Sequence, residues 1–544
     1  MKYIQFKFHI YIFLIQMLRS YIISNTPIPC EIEEGNIEYK QRLDLKDKNK
    51  IRKMASQMLW RLQEGFNNSG KSEAHYFLGI KDNGEFAQIT SETIDSSVEI
   101  IREVCAKCQA KIMNIDKIML PDNFCVAEVI VCKKADGNFI KESRVCFLGS
   151  SGHGKTTLIS HLTFNQLDNG NGLARSLVLK HMHEQHSGFT SSIKHDIVGI
   201  KNNKLVNYKS DIHTNWENIV LRSDKIIALT DLPGKNKYYK TTLNALFSLK
   251  PHFNVIVICP SECFIDQECV IGCEIINSIK LCVFLNIPFV IVFTGCDIMP
   301  LDDMFINKFY NVISEHVQNK KLCQFINNIH HNNIYYIGIS NVNNNNFDNL
   351  ITLLDLYSEK YNNKNRKLYD EIDHKTEFMI HDTYLIPDRG NIIYGVMNKG
   401  HIDVSENYFI GPINNNFFPI TIRTIHKKQI DSKNMFEDET ASIEIKSNDK
   451  LDLGKNLFII DNPKNVILDD NICIELLSQS NFIKIGSQFM FFCDNIVEPV
   501  IIESIDDKYV KMIMFKKEIK PKKNKKICLL ETFSNNIIFG KIFC

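Results

Sequence analysis

Apolar residues in the middle of this chain are gathered into short, nearly continuous runs at 145–148, 225–230, 289–293 and 335–339, separated by polar stretches long enough for helices. Continuous rather than alternating apolar runs predict strands buried on both faces, the hallmark of a parallel sheet covered by helices. Residues 156–164 after the first run suit such a covering helix. Upstream, Ile51, Met54, Met58 and Leu62 recur at helical spacing, so 45–64 reads as an amphipathic helix. Segments 75–80 and 86–89 flank Asp82-Asn-Gly84, a hairpin signal, and a helix over 93–108 and a strand over 125–132 complete a small α/β unit. Downstream of about residue 376 the period changes to short strands, at 378–385, 472–477, 488–493 and 508–515, punctuated by Gly390, Gly395, Gly400 and Ile410-Gly-Pro412. That punctuation predicts compact antiparallel barrels.

A chain of 544 residues exceeds what one core organises, so several domains are expected. Net charge is +1, with local asymmetry: 516–526 is dense in lysine, and His426-Lys-Lys428 is a second basic group. Either is a candidate contact for RNA phosphate or else a solvated edge. Most of the 17 cysteines lie in apolar runs, where a free thiol behaves as a small hydrophobe. This fits a reducing compartment and a cytoplasmic protein. Cys105 and Cys108 lack a second matching pair, and Cys259, Cys263, Cys269 and Cys273 form a sparse cluster that argues only weakly for metal. The apolar stretch 10–18 is interrupted by Gln16 and too short to span a bilayer, so residues 1–35 read as an extension and no stable membrane association is expected.

Candidate chemistry begins at Gly149-Ser-Ser-Gly-His-Gly-Lys155-Thr156, which fits G-x-x-x-x-G-K-[ST] between a strand and a helix. There the backbone N–H groups of 152–156 are expected to cradle phosphates at a helix N-terminus. Lys155 is placed to reach the β- and γ-phosphates and Thr156 to ligate Mg²⁺. Gly149, Ser150, Ser151, Gly152, His153, Gly154 and Thr157 complete the loop. Asp231-Leu-Pro-Gly234 follows the run 225–230, so Asp231 is expected at a strand's carboxyl end, holding Mg²⁺ through water, with the Gly234 N–H facing the γ-phosphate. Thr294-Gly-Cys-Asp297 follows the next run. A carboxylate at Asp297 can accept from N1 and N2 of guanine, which adenine does not offer, and Thr294 and Gly295 shape the same loop. Ser340, Asn341 and Val342 are expected to close over the base.

With these motifs in order, the chain resembles the GTP-binding protein 1 and 2 group of translational GTPases, relatives of elongation factor Tu and elongation factor 1 alpha. Further residues carry the resemblance: Gln166-Leu-Asp-Asn-Gly170, Ala174-Arg175, His181, His183-Glu184, Ser187-Gly188, Thr190-Ser-Ser192, Tyr238-Tyr-Lys-Thr-Thr242 and, near the N-terminus, Gln57-Met-Leu-Trp-Arg-Leu-Gln-Glu-Gly65. The resemblance implies a P-loop GTPase domain at 141–365 with a mixed, mostly parallel sheet. It also implies an N-terminal α/β module at 36–140 and two C-terminal antiparallel β-barrels at 376–461 and 462–544. Thr190 is by resemblance the switch threonine that joins Mg²⁺ when GTP is bound. The implied partners are GTP or GDP with tRNA or ribosomes, and a monomer is expected.

Three departures from the family pattern bear on activity. Lys235 stands where translational GTPases carry the histidine that orients the attacking water. Gly152 replaces the phosphate-loop aspartate, and Gly295 replaces the lysine of the guanine motif. A lysine ammonium cannot copy a neutral imidazole as an acceptor, though it can offset charge in phosphoryl transfer. The expected enzyme is therefore a slow GTPase with Lys235, Gly234 and Thr190 at its catalytic end. The alternative is a nucleotide-binding scaffold whose hydrolysis has decayed; an ATP-driven motor is disfavoured by Asp297 and the barrels.

Overall fold

A computed structural model describes residues 17–543 apart from 24–25, 33, 44–47, 70–72, 109, 134–141, 180–183, 185–189, 211–215, 266–267, 318–319, 327–328, 331–332, 363–375, 388–389, 448, 450, 478–482 and 532–535. His181, His183, Ser187 and Gly188 therefore lie outside the described residues. The chain divides into two compact units, Met1–Ala135 and Asp136–Cys544.

In the first unit the amphipathic helix is realised as Lys48–Ser69 and the second as Ser91–Lys107. Ile51, Met54, Met58 and Leu62 pack with Ile94, Val98, Ile101 and Val104 against a four-stranded sheet ordered Ile37–Lys40, Glu73–Leu78, Cys125–Lys133, Ala110–Met119. The expected hairpin shrinks to one bridge, Ile80 with Phe86. The Asp82-Asn-Gly84 turn does form, with Gly84 at φ +86°, but Ala87 N–H bonds back to Gly79 O and Phe86 stays exposed, so no ladder follows. The antiparallel partner of Glu73–Leu78 is instead Cys125–Lys133, which on its other side pairs with Ala110–Met119. Within the segment read as an extension, Leu18 and Ile28 are buried with Tyr39, Phe77 and Val126, and Arg19 pairs with Asp116 at 2.8 Å.

The second unit opens with an eight-stranded sheet ordered Lys321–Gln324, Asn333–Gly338, Phe289–Phe293, Phe253–Ile258, Glu142–Leu148, Lys225–Asp231, Lys194–Lys201, Lys204–Val206. All neighbours are parallel until Lys194–Lys201, which runs antiparallel to Lys225–Asp231. The four apolar runs of the sequence are four of its strands. Two buried clusters cover its faces, one with the helix Lys155–Phe164 and the other with Tyr239–Ser248 and Cys273–Leu285. Parallel strands that end together gather their following loops along one edge, the usual ligand site of open α/β sheets.

Two closed six-stranded antiparallel barrels follow. The first joins Glu377–Ile386, Gly390–Lys399, Asn407–Ile413, Asn416–Lys427, Thr440–Lys446 and Phe458–Ile460; the second joins Leu468–Leu476, Gln488–Cys493, Ile496–Asp506, Tyr509–Ile519, Lys526–Glu531 and Ile537–Ile542. Gly395 is needed where strands cross closely, because a Cβ there meets Met379 O at 2.0 Å. The barrels are bound to the sheet domain by polar and apolar contacts. Arg144, on the first sheet strand, donates to Leu249 O at 2.9 Å and to the Asp438 carboxylate of the first barrel, which also pairs with His252 at 2.9 Å. Phe284 stacks on Phe539 of the second barrel, and Phe492, Cys528 and Leu530 join the sheet domain's own core.

These contacts absorb part of the basic segments. Lys427 pairs with Glu439 at 2.6 Å and Lys428 with Glu142 at 2.8 Å, both lysines buried, so the group at 426–428 is an internal ion-pair network rather than a surface for RNA. Lys525 pairs with Asp494 at 2.8 Å and Lys526 donates to Phe284 O at 2.5 Å. Lys516, Lys517, Lys522 and Lys523 remain exposed.

Candidate nucleotide-binding site

Glu142–Leu148 delivers the chain to the phosphate loop, and Lys155–Phe164 leaves it. The loop needs its glycines. Gly149 sits at φ +136° with Val257 O 2.2 Å from where a Cβ would be, and Gly154 caps the helix at φ +83° against Thr294. These are left-handed conformations that other L-residues resist. Gly152 at φ +90° is exposed and faces open space, so a side chain there would meet no neighbour but would have to adopt a left-handed backbone that glycine takes without cost.

Lys155 is buried and donates to Gly149 O at 2.8 Å and Ser150 O at 2.9 Å. Burial pulls its ammonium down to about 8, against the attraction of Asp231. An anion beside it would reverse that shift. Gly234 folds onto the same spot: a Cβ there would stand 2.4 Å from Lys155 Nζ and 2.7 Å from Ser151 N, so only glycine lets this loop approach the phosphate cradle.

The three predicted metal-ligating residues converge. Thr156 Oγ1 lies 2.7 Å from Asp231 Oδ2 and 2.8 Å from Thr190 Oγ1, and Thr190 Oγ1 lies 3.2 Å from the same carboxylate oxygen. Asp231 Oδ1 is buried with no hydrogen-bond partner among the described residues, and burial raises the Asp231 carboxyl above its ordinary range against Lys155 and Thr156. A buried carboxylate oxygen without a donor, beside two hydroxyls, suits a hard divalent cation. Mg²⁺ therefore fits the residues present.

Thr190 is held from behind by a clamp that sequence reading missed. Glu184 accepts from Ser191 N–H at 2.8 Å and Ser191 Oγ at 2.9 Å, and pairs with Lys194 at 2.6 Å. Burial raises its carboxyl, but Lys194 and Ser191 outweigh that and bring it to about 2. Glu184 figured only as one residue of a resemblance, and no local spacing marks a carboxylate as the anchor of a loop seven residues on.

The base end is assembled from two loops. Thr294 Oγ1 donates to His153 O at 2.9 Å, fastening the guanine motif to the phosphate loop. Gly295 turns the chain at φ +69°, and Asp297 stands exposed beyond it. Cys296 N–H bonds Ile339 O at 3.2 Å, bringing the 340–342 loop alongside. Ser340 Oγ accepts from Val342 and Asn343 N–H, both at 3.1 Å, and Asn341 Oδ1 lies 3.4 Å from His161 Nδ1. The His153 side chain points away from this pocket. It is buried, its Nδ1 accepts from Cys259 N–H at 3.1 Å, and burial with Lys155 nearby lowers it to about 4, so it is a neutral brace. Ser150 is half-buried with Glu274 at 3.4 Å, and Thr157 is half-buried on the first helical turn. Lys235 is exposed, one residue past Gly234. Among the described residues, no three of Cys259, Cys263, Cys269 and Cys273 converge as ligands.

Comparison with known proteins agrees with this geometry. Residues 141–360 match the elongation factor Tu GTP binding domain family. Over 516 residues the chain is 27% identical to GTP-binding protein 2 of Homo sapiens, covering 89% of this chain and 82% of that protein. It is 28% identical over 413 residues to GTP-binding protein 1 of Xenopus laevis, covering 72% of this chain and 60% of that protein. Among solved structures, the Saccharomyces cerevisiae Ski7 GTPase-like domain bound to GTP superposes with a TM-score of 0.55 at 15% identity, covering 74% of this chain and 97% of that one. That likeness shows the fold.

Proposed function

For a chain that carries an elongation factor Tu-type GTP-binding domain and is similar to GTP-binding proteins 1 and 2 over most of its length, we propose a Mg²⁺-dependent guanine-nucleotide switch acting on tRNA or ribosomes. The observation that carries the reading is the meeting of Thr156, Thr190 and Asp231 around one carboxylate oxygen. Thr156 opens the helix Lys155–Phe164 and Asp231 ends the strand Lys225–Asp231, whereas Thr190 belongs to neither element and lies in the stretch that resemblance makes the switch loop. A loop with a residue that ligates through the same centre can be ordered by triphosphate and released by its loss. When bound, Mg²⁺ supplies charge neutralisation between the β- and γ-phosphates.

This chain's own residues then do the following. The loop 149–156 presents N–H groups to the phosphates, Lys155 trades its contacts with Gly149 O and Ser150 O for phosphate oxygens, and the Gly234 N–H meets the γ-phosphate. Asp297 reads the guanine edge, and Ser340 to Val342 cover the base. Strand Lys194–Lys201 carries the end of the switch loop toward the first barrel, so the state of Thr190 has a short path to the domain arrangement that a ribosome or tRNA would sense. Lys235 offers charge to the phosphoryl transfer rather than orienting water, which makes hydrolysis slow.

The scaffold alternative is favoured by Lys235, which is exposed and is not an imidazole. Single-turnover GTP hydrolysis at saturating ribosome separates the readings. If water positioning is what the site lacks, Lys235→His raises turnover by about 10²–10⁴-fold. If Lys235 stabilises charge, Lys235→Ala lowers turnover and histidine does not help. No hydrolysis in any of the three proteins, with GTP binding intact, assigns the chain to the scaffold class.

A further inference from the structure

A second group of ligating side chains lies outside the nucleotide site, where the sheet domain meets the first barrel. His195, on the strand that follows Thr190, faces His381 and Asp382 on barrel strand Glu377–Ile386, with donor atoms all within 4.8 Å of one another. Both imidazoles are already oriented by their Nδ1 atoms. His195 Nδ1 lies 3.2 Å from Thr230 Oγ1, and His381 Nδ1 lies 2.6 Å from Ser248 Oγ. Ser248 donates its one hydroxyl hydrogen to Asn244 O at 2.7 Å, so it accepts from His381 Nδ1–H. His381 Nε2 is therefore a bare lone pair. Its side chain is only 2% exposed, and Nε2 of both histidines is buried without a hydrogen-bond partner among the described residues.

Two buried imidazole Nε2 atoms without partners are costly unless something engages them. We propose that His195 Nε2, His381 Nε2 and an Asp382 carboxylate oxygen form a zinc-class metal site that fastens the strand after the switch loop to the first barrel. Metal-bound histidines characteristically engage their other ring nitrogen in a hydrogen bond, as both do here. Donors around tetrahedral zinc stand about 3.4 Å apart, from bonds of about 2.0–2.2 Å. The His381 Nε2 to Asp382 Oδ2 separation is 3.8 Å, so small side-chain shifts close the set. Asp382 is 45% exposed, which gives the ion a way in and leaves a coordination position for water. Lys428 acts electrostatically on His195, but its charge is met by Glu142 at 2.8 Å. The site stands independently of the nucleotide reading, since none of its ligands touches the phosphate loop.

The test uses the full chain, freed of metal and titrated with Co²⁺ and then Zn²⁺ in Mg²⁺ buffer. The expected result is one Co²⁺ with nitrogen and oxygen ligation in its visible spectrum, displaced by Zn²⁺. X-ray absorption of the zinc form should show a first shell without sulfur. His381→Gln should abolish this binding, and Ser248→Ala, which removes the acceptor of Nδ1–H together with the hydroxyl's own bond to Asn244 O, should weaken it about 10–100-fold. Asp382→Asn, at a half-exposed position, gives a weakened site in a protein whose fold is undisturbed. Absence of stoichiometric Co²⁺ binding, sulfur in the zinc shell, or unchanged affinity in Asp382→Asn and His381→Gln overturns the proposal. The wild-type spectra decide the matter even where a buried-histidine variant fails to fold.

Discussion

Asp438→Asn should loosen the junction between the sheet domain and the first barrel, and the structure gives its size. The Asp438 carboxylate pairs with Arg144, whose side chain is 5% exposed, and with His252 at 2.9 Å. Burial raises that carboxyl, but Arg144 and His252 outweigh it and hold it well below the ordinary carboxylate range. Breaking a buried pair by removing one charge costs about 3–5 kcal/mol. Asparagine keeps an acceptor oxygen, worth about 1 kcal/mol, and Arg144 keeps Leu249 O and Lys250 O, so the net loss should be about 2–4 kcal/mol. Asparagine is the right substitution because residue 438 sits at φ +69°, where alanine would add backbone strain. The assay is urea unfolding of both proteins at pH 7 and at pH 3. A carboxyl with a depressed folded value contributes stability that is present above its ordinary value of 3.8 and lost as pH falls toward the folded value. The gap should thus be complete at pH 7 and narrow below about pH 4. A loss under about 1 kcal/mol at pH 7 would refute the reading of this pair as a buried tie of the junction, because that is the size of a surface ion pair.

Two further outcomes follow from buried charge and exposed lysine. Glu518, 4% exposed, is raised to about 7 by burial, with Asn456 opposing and Glu498 adding to the shift. A carboxyl raised in the folded state loses stability as pH climbs from 4.5 to about 7, so Glu518→Gln should be stabilising at pH 8 by up to about 3 kcal/mol and near neutral at pH 4, checked by thermal melts at the two pH values. Replacing Lys517, Lys522 and Lys523 with glutamine should flatten the salt dependence of tRNA or ribosome binding by about 0.7–0.9 in log–log slope for each phosphate that is no longer neutralised, whereas an unchanged slope makes the patch a solvated edge. Lys525 and Lys526 are left intact because Lys525 is paired with Asp494 inside the second barrel and Lys526 donates to Phe284 O of the sheet domain.

The phosphate loop, Asp231 and the strands before them were legible in the sequence because a parallel sheet writes itself as continuous apolar runs, and a phosphate cradle demands glycine where φ is positive. The barrels were legible as a change of period. What stayed hidden was long-range polar pairing. Lys428 looked like part of a basic surface until Glu142, nearly 300 positions earlier, proved to be its partner. Glu184 and His195 carry no local signal, since their roles depend on which strand folds beside them. The strand Ala110–Met119 was missed because its lysines and asparagine blur the alternation, as they do on an edge strand with little buried surface. His153 reads as a phosphate contact from its place in the loop, yet its ring turns inward to Cys259 N–H.

The central claim, that Thr156, Thr190 and Asp231 with Asp297 make a Mg²⁺-dependent guanine site, is tested most directly by displacement of a fluorescent GDP from the full chain by unlabelled GTP, GDP and ATP, with Mg²⁺ and with excess EDTA. The account predicts that GTP and GDP displace the probe, that ATP does so only at concentrations at least about 100-fold higher, the margin that base-edge hydrogen bonds supply when a site's polar groups would otherwise go unpaired, and that EDTA weakens GTP more than it weakens GDP. Equal displacement by ATP and GTP, or GTP binding indifferent to Mg²⁺, would contradict it.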